Sequence, residues 1–431
     1  MRVLSADWVV PVEGAPIPDG AVGIDDDGRI EAVGPASDLG EGERFPESVI
    51  LPGFVNAHTH VEYAVYAGFG DGLSFGPWIG VHVERKRRID IEEMEAIARL
   101  GALECLRSGV TMVGDCSFRG AAATACAEVG LDAIVFLEVF GGAEAVRERF
   151  EPMSERIAGV LSDDVRLGIS PHAPYTTTLG LYRAAAELDL PVATHLSEST
   201  DELDYLRTGT GPWSSFAEML VPPLGTTGIR ALAEEGLLGR NVLAAHCVHV
   251  DAEEIELLAR HDVAVAHCPR SNALLGSGIA PLAALREAEI RVCIATDSPA
   301  STPSFDMFDE MRTAVYAARA REQRPDALSA ADALELATLG GARALGVADE
   351  RGSLVPGKRA DLTVLSFSGT PLVPWEDPVT ATVLGGSPER VLATLVSGKT
   401  RYEKGGKTWL ELIDAARNAR DRLLSHAGRR S

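Results

Sequence analysis

Between Gly53 and Gly346, short apolar runs alternate with Ala- and Leu-rich amphipathic stretches, and this alternation restricts the fold more than any other feature. The apolar runs are Phe54–His60, Thr111–Ser117, Asp132–Phe140, Arg166–His172, Val192–Ser197, Val242–Val248, Val263–His267 and Val292–Thr296. Between them, stretches such as Glu92–Arg107, Leu181–Leu188, Asp251–Arg260 and Leu282–Glu287 carry apolar residues at helical spacing. Eight strands, each followed by a helix, are the count of a (β/α)8 TIM barrel of the α/β class. An open doubly wound sheet also fits the alternation, so the count alone leaves two architectures.

The two ends of the chain read differently. Ala21–Ile24 and Ile30–Val33 flank the turn Asp25-Asp26-Asp27-Gly28-Arg29 and predict a hairpin. Strand character returns after Gly352, in Asp361–Leu365 and Arg390–Ser397, before a last amphipathic helix, Leu410–Leu424. At 431 residues, with 46% hydrophobic content, the chain suits one large domain and one smaller one. The simplest arrangement is a discontinuous small β-sandwich domain formed from both termini. Residues 1–52 then open it, residues 53–351 form the barrel, and residues 352–431 complete it and add the terminal helix. No internal repeat, low-complexity tract or long linker interrupts this plan.

A formal net charge of -23 excludes nucleic acid and anionic membrane as partners, since both call for a basic face. No apolar run reaches the roughly 18 residues of a membrane span. The start, Met1–Asp7, lacks a charged-then-apolar leader pattern. Six cysteines, Cys105, Cys116, Cys126, Cys247, Cys268 and Cys293, form no CxxC pair, and most adjoin apolar runs, as buried thiols do. The expectation is a cytoplasmic protein with a small-molecule substrate. Room is left for a homo-oligomer.

Chemistry concentrates at the ends of the apolar runs. His58 and His60 stand two apart at the end of the first, so both imidazoles point to one side of a strand. Alone such a pair is a weak signal. His195 ends another run with Glu198 just beyond it, a third offers His246 and His249, and Asp297 follows Cys293–Thr296. A single Asp at a strand end is ordinarily a helix cap, and Ser298-Pro299 suits that role. Four strands aiming imidazoles and a carboxylate at one rim nevertheless point to a divalent metal, Zn²⁺ first, with Fe²⁺ and Mn²⁺ as alternatives.

The segments Leu51–His60, His195-Leu196-Ser197-Glu198, His246-Cys247-Val248-His249 and Thr296-Asp297 together resemble the ordered motifs of the amidohydrolase superfamily. Ser170–Tyr175, Cys268–Asn272 and Gly357–Leu362 extend the resemblance over nearly the whole chain. More narrowly the set is similar to the aminohydrolase branch, with its S-adenosylhomocysteine, methylthioadenosine and aminodeoxyfutalosine deaminases and triazine chlorohydrolases. The resemblance implies His58, His60, His195 and Asp297 as metal ligands, His246 as a catalytic imidazole and Glu198 as proton shuttle. It also implies a single ion, because His172 stands where binuclear relatives carry a carbamylated lysine. In this reading Asp297 accepts or orients the nucleophile's proton, protonated His246 holds the attacking oxygen, and Glu198 protonates the ring nitrogen and then the departing amine.

The implied activity is a mononuclear metal-dependent aminohydrolase, a cyclic amidine deaminase. Trp78, in Leu73–Trp78, resembles the aromatic of adenosine-type deaminases, and Glu84 and His172 join it as substrate-binding candidates. Glu62 extends His58-x-His60 to His-x-His-x-Glu, similar to aminodeoxyfutalosine deaminases, as is Glu84–Arg88, whose arginines suit a substrate carboxylate; a solvated helix start is the alternative for that stretch. Aminodeoxyfutalosine therefore ranks first, then S-adenosylhomocysteine, methylthioadenosine or adenosine. A free base (guanine, cytosine), a triazine or a cyclic amide ranks last. His82 is a further candidate contact, His267 a neighbour of the ligands, His249 a strand cap, and His261 and His426 surface residues. A barrel scaffold without catalysis conflicts with the complete ligand set. A cytidine-type zinc deaminase is excluded, since no Pro-Cys-x-x-Cys follows a His-x-Glu.

Overall fold

The computed structural model describes residues 1–406 and 408–425. Four strands open the chain: β1 (Arg2–Val9), β2 (Ile17–Ile24), β3 (Ile30–Pro35) and β4 (Glu43–Pro52). Eight follow: β5 (Phe54–Thr59), β6 (Val110–Ser117), β7 (Asp132–Val139), β8 (Val165–Pro171), β9 (Val192–Leu196), β10 (Val242–His246), β11 (Ala264–His267) and β12 (Arg291–Ile294). These eight pair in parallel and in sequence order, and the ring closes where Thr59 bridges Asp297. Closure selects the barrel over the open sheet. The expected hairpin is β2–β3, with Ile24 opposite Ile30.

Three strands complete the chain: β13 (Leu362–Ser366), β14 (Val391–Val396) and β15 (Lys399–Glu403). They join the first four in one mixed sheet of order β15-β14-β13-β4-β1-β2-β3. The small domain is therefore built from both termini, and its strands bond as one continuous sheet. Period-two alternation decides what each face covers. Ile50, Val364 and Leu395 face the domain's own core, whereas Val49, Leu51, Leu365 and Val396 pack into the barrel's outer core. The terminal helix, Thr408–Ser425, lays Ala416, Ala419 and Leu423 into that same outer core. His426 lies outside the described residues.

The barrel interior is filled by alternate residues such as Val55, Met112, Phe136, Ala193, Leu243 and Cys293. Their side chains pack the bottom of the barrel and leave its C-terminal end for chemistry. All six cysteines are free and buried, as their settings predict. Among the described residues no helix is long and apolar enough to cross a membrane.

Candidate active site

A bulge places the first two ligands. Val55 and Ala57 face the barrel interior, so strict alternation would send His58 outward. Between Asn56 and Thr59, β5 advances three residues while β6 advances two, from Val113 to Asp115. That extra residue reverses the parity and turns His58 and His60 to the rim. Asn56 fixes the seam, donating to Thr296 Oγ1 at 2.7 Å and accepting from the Thr296 amide at 3.0 Å.

His58 Nε2 and His60 Nε2 lie 3.5 and 3.4 Å from Asp297 Oδ1. The His195 ring stands 5.0 Å from that of His58. Its Nδ1–H donates to the His172 carbonyl at 2.7 Å, which leaves Nε2 with a free lone pair. His58 Nε2 is buried and has no hydrogen-bond partner among the described residues, as a nitrogen awaiting an ion would be. Burial lowers the pKa of His60 to about 3 and that of His195 well below its ordinary value, so both are neutral imidazoles able to ligate. Burial alone would raise Asp297, but the adjacent imidazoles of His58, His246 and His60 hold it well below the usual carboxylate range. His58, His60 and Asp297 lie close enough together to hold a divalent cation, and so do His58, His195 and His246.

His246 has further neighbours besides His58 and His195. Its Nδ1 donates to Asn272 Oδ1 at 3.0 Å, and its Nε2 lies 3.7 Å from Glu198 Oε2. Burial lowers its pKa to about 4. Burial thus favours the neutral imidazole of His246. Glu198 moves the other way: burial, then Asp297 and Glu202, raise its carboxyl well above the ordinary range. Ser197, His246 and Asp297 all carry positive φ, at 52°, 73° and 58°. Left-handed turns in non-glycine residues cost free energy, and here they bend strand ends so that side chains converge.

His60, His195, Glu198, His246 and Asp297 line a cavity of about 900 Å³. Trp78 enters it from the helix Phe75–Lys86, against His82 (ring centroids 4.5 Å apart), which also lines the cavity. His172 does too, its Nδ1 bonded to Thr176 Oγ1 at 2.8 Å. Glu84 reaches only the mouth, where its side chain is 52% exposed and paired with Arg88. Glu62 requires a correction. Its carboxylate is fully buried, takes the Ser117 hydroxyl and accepts the amides of Arg119 (3.1 Å) and Ala121 (2.8 Å). It holds the start of the helix Ala121–Val129 and does not line the cavity. Glu84–Arg88 lies at the end of a helix, not the start, and carries partly buried Lys86.

Of the other histidines, His249 bonds the Ser277 carbonyl at 2.6 Å, buried His267 faces a separate small cavity, and His261 is half-buried. The sequence reading missed the supports. Ser271 and Ser301 donate to Asp297 Oδ2 at 2.6 and 2.9 Å, and Glu202 accepts the amides of Ser197 and Glu198 at 2.9 and 2.7 Å. Asn272 sits in the Cys268–Asn272 motif, and Ser199-x-x-Glu202 reads as a helix cap, so the signals exist but name no partner.

Residues 49–401 match the model of the amidohydrolase family. The 5-methylthioadenosine/S-adenosylhomocysteine deaminase of Moorella thermoacetica is 34% identical over 412 residues, covering 92% of this chain and 93% of that protein. The 5'-deoxyadenosine deaminase of Methanothermobacter thermautotrophicus is 33% identical over 386 residues, covering 85% and 86%. Among solved structures, a zinc-bound adenosine deaminase from Xanthomonas campestris superposes with a TM-score of 0.88 at 29% identity, covering 98% of each chain. With its motifs gathered at one barrel rim and its match spanning both domains, this chain belongs to the amidohydrolase family.

Proposed function

We propose that the protein is a mononuclear zinc-dependent aminohydrolase that converts a 6-aminopurine nucleoside to its 6-oxo product. The juxtaposition of Glu198 with His246 and Asp297 in one cavity carries this reading. His58, His60, His195 and Asp297 would hold the ion, which supplies Lewis acidity and makes water nucleophilic near neutral pH. Asp297 and the Nε2 of His246 orient the attacking water and take up its proton as oxygen bonds to the ring carbon. Glu198, protonated at rest, gives its proton to the adjacent ring nitrogen, which turns a poor electrophile into a competent one. The proton taken from the water then passes to the amino group, the carbon–nitrogen bond breaks, ammonia leaves with the bonding pair, and the adduct hydroxyl returns its proton to Glu198 as the 6-oxo group forms. Burial of all three groups keeps these proton transfers away from bulk water.

The two sequence relatives named above are deaminases of 5-methylthioadenosine/S-adenosylhomocysteine and of 5'-deoxyadenosine, which supports these substrates ahead of aminodeoxyfutalosine for this chain. Six buried thiols support a cytoplasmic setting. Ammonia release and the ultraviolet change from adenine to hypoxanthine, followed across nucleosides, free bases and triazines, test the assignment. Turnover of 5'-modified adenosines is expected, with reversible loss on chelation. Turnover of guanine, cytosine or a triazine, with none of any adenosine derivative, would overturn the substrate class. Activity in metal-free protein would overturn the mechanism.

A further inference from the structure

Of the charged residues that line the cavity and take no part in the proposed reaction, Glu84, Arg87 and Arg88 are exposed, whereas Glu138 is buried and Lys86 partly so. Ile134 and Phe136 face the barrel interior, and Glu138, two residues further along β7, lines the cavity above them. It is 2% exposed, and among the described residues its carboxylate has no hydrogen-bond or ion-pair partner. Lys86 reaches the same cavity from the last turn of the helix Phe75–Lys86. Its ammonium sits 3.8 Å from the Phe118 ring centroid and donates to Tyr63 Oη at 3.3 Å. No carboxylate lies within ion-pair distance of it among the described residues. Each feels the other's charge: burial raises Glu138 and lowers Lys86, and each group opposes the other's shift.

The neighbouring cation is already engaged. Arg149 donates through Nε to the Glu138 carbonyl (2.9 Å) and through Nη2 to the Phe118 carbonyl (2.6 Å), so it braces the wall. An anionic ligand group at this wall would meet the Glu138 carboxylate, and a cationic one the Lys86 ammonium. A neutral group with adjacent hydroxyls satisfies both, because each hydroxyl can donate or accept. We propose that Glu138 and Lys86 form a subsite for the vicinal diol of a sugar joined to the heterocycle. One hydroxyl donates to the Glu138 carboxylate, and the neighbouring oxygen accepts from the Lys86 ammonium. The inference rests on the nucleoside reading above, and it moves sugar recognition from Glu84, which is paired at the mouth, to the cavity wall.

The test compares kcat/KM for adenosine and 2',3'-dideoxyadenosine on metal-replete wild type, Glu138→Gln and Lys86→Met, with metal content and melting as checks on folding. Wild type should favour the ribonucleoside by about tenfold or more, since a site built to bond a hydroxyl rejects the analogue lacking it. In each variant that ratio should fall by about tenfold. A variant that loses activity equally on both substrates has only a structural defect, and this outcome overturns the subsite. Should neither variant fold, wild type alone decides with 2'-deoxyadenosine and 3'-deoxyadenosine: equal use of these and adenosine overturns the proposal, and poorer use of both supports it. Wild-type turnover of nucleosides without hydroxyl preference overturns this inference alone. Absence of turnover with every adenosine derivative overturns the nucleoside reading and this inference with it.

Discussion

Glu198 keeps a proton because it is buried beside Asp297 and Glu202, and its charged form has little to stabilise it. Glu198→Gln preserves shape but cannot pass a proton. Turnover should fall about a hundred- to ten-thousandfold while metal content and melting stay as in wild type. A loss confined to KM would make Glu198 a binding group instead. Asp297 depends on neighbours in a different way. Ser271 and Ser301 occupy its Oδ2, which leaves Oδ1 toward His58 and His60. Ser271→Ala should therefore weaken metal affinity or activity by about 10–100-fold, measurable by competition with a chelator. Unchanged affinity together with unchanged turnover would show that Ser301 alone suffices.

At the scale of elements, the bulge in β5 and the helix Ala121–Val129 are tied together by one residue. Glu62 follows the ligand pair closely and holds the amides at the helix start, so it links the rim of β5 to the element after β6. Glu62→Gln can keep one of those bonds but loses the charge that faces the helix N-terminus. Stability should drop by about 0.5–2 kcal/mol, the range of a lost helix cap, with KM for the nucleoside unchanged. A raised KM at unaltered stability would return Glu62 to the substrate. The sequence placed this residue beside the ligands correctly. The close return of β6 and its following helix decides that its carboxylate turns away from the cavity.

For the whole molecule, the junction between barrel and small domain rests on a buried charge cluster. Arg351, 3% exposed, bonds Asp361 Oδ2 at 2.8 Å, just before β13, and also pairs with Asp132 at the start of β7. Removing the guanidinium leaves two buried carboxylates with too little positive charge. Arg351→Met should cost about 3–5 kcal/mol in denaturant unfolding, and Asp361→Asn added to it should recover part of that loss. If the single change costs under about 1 kcal/mol, Arg359, which lies 3.4 Å from Asp132, carries the junction instead.

The sequence by itself determined the eight strands to within a residue or two at most ends, the hairpin about Asp25–Arg29, the buried cysteines and the kinds of groups gathered at the rim. These follow from local pattern: apolar period, turn residues, and imidazoles at strand ends. Long-range geometry decided the rest. Ring closure at Thr59–Asp297 chose the barrel over an open sheet that satisfies the same alternation. Strand parity predicts His195 and Asp297 facing inward with Ala193 and Cys293, but it predicts His58 and His246 facing outward. An extra residue in β5 and a left-handed backbone at His246 reverse this, and neither is visible until the neighbouring strands set the register. Glu138 and Lys86 come from elements about fifty residues apart, so only the packing of the helix Phe75–Lys86 over the barrel mouth brings their charges to one cavity.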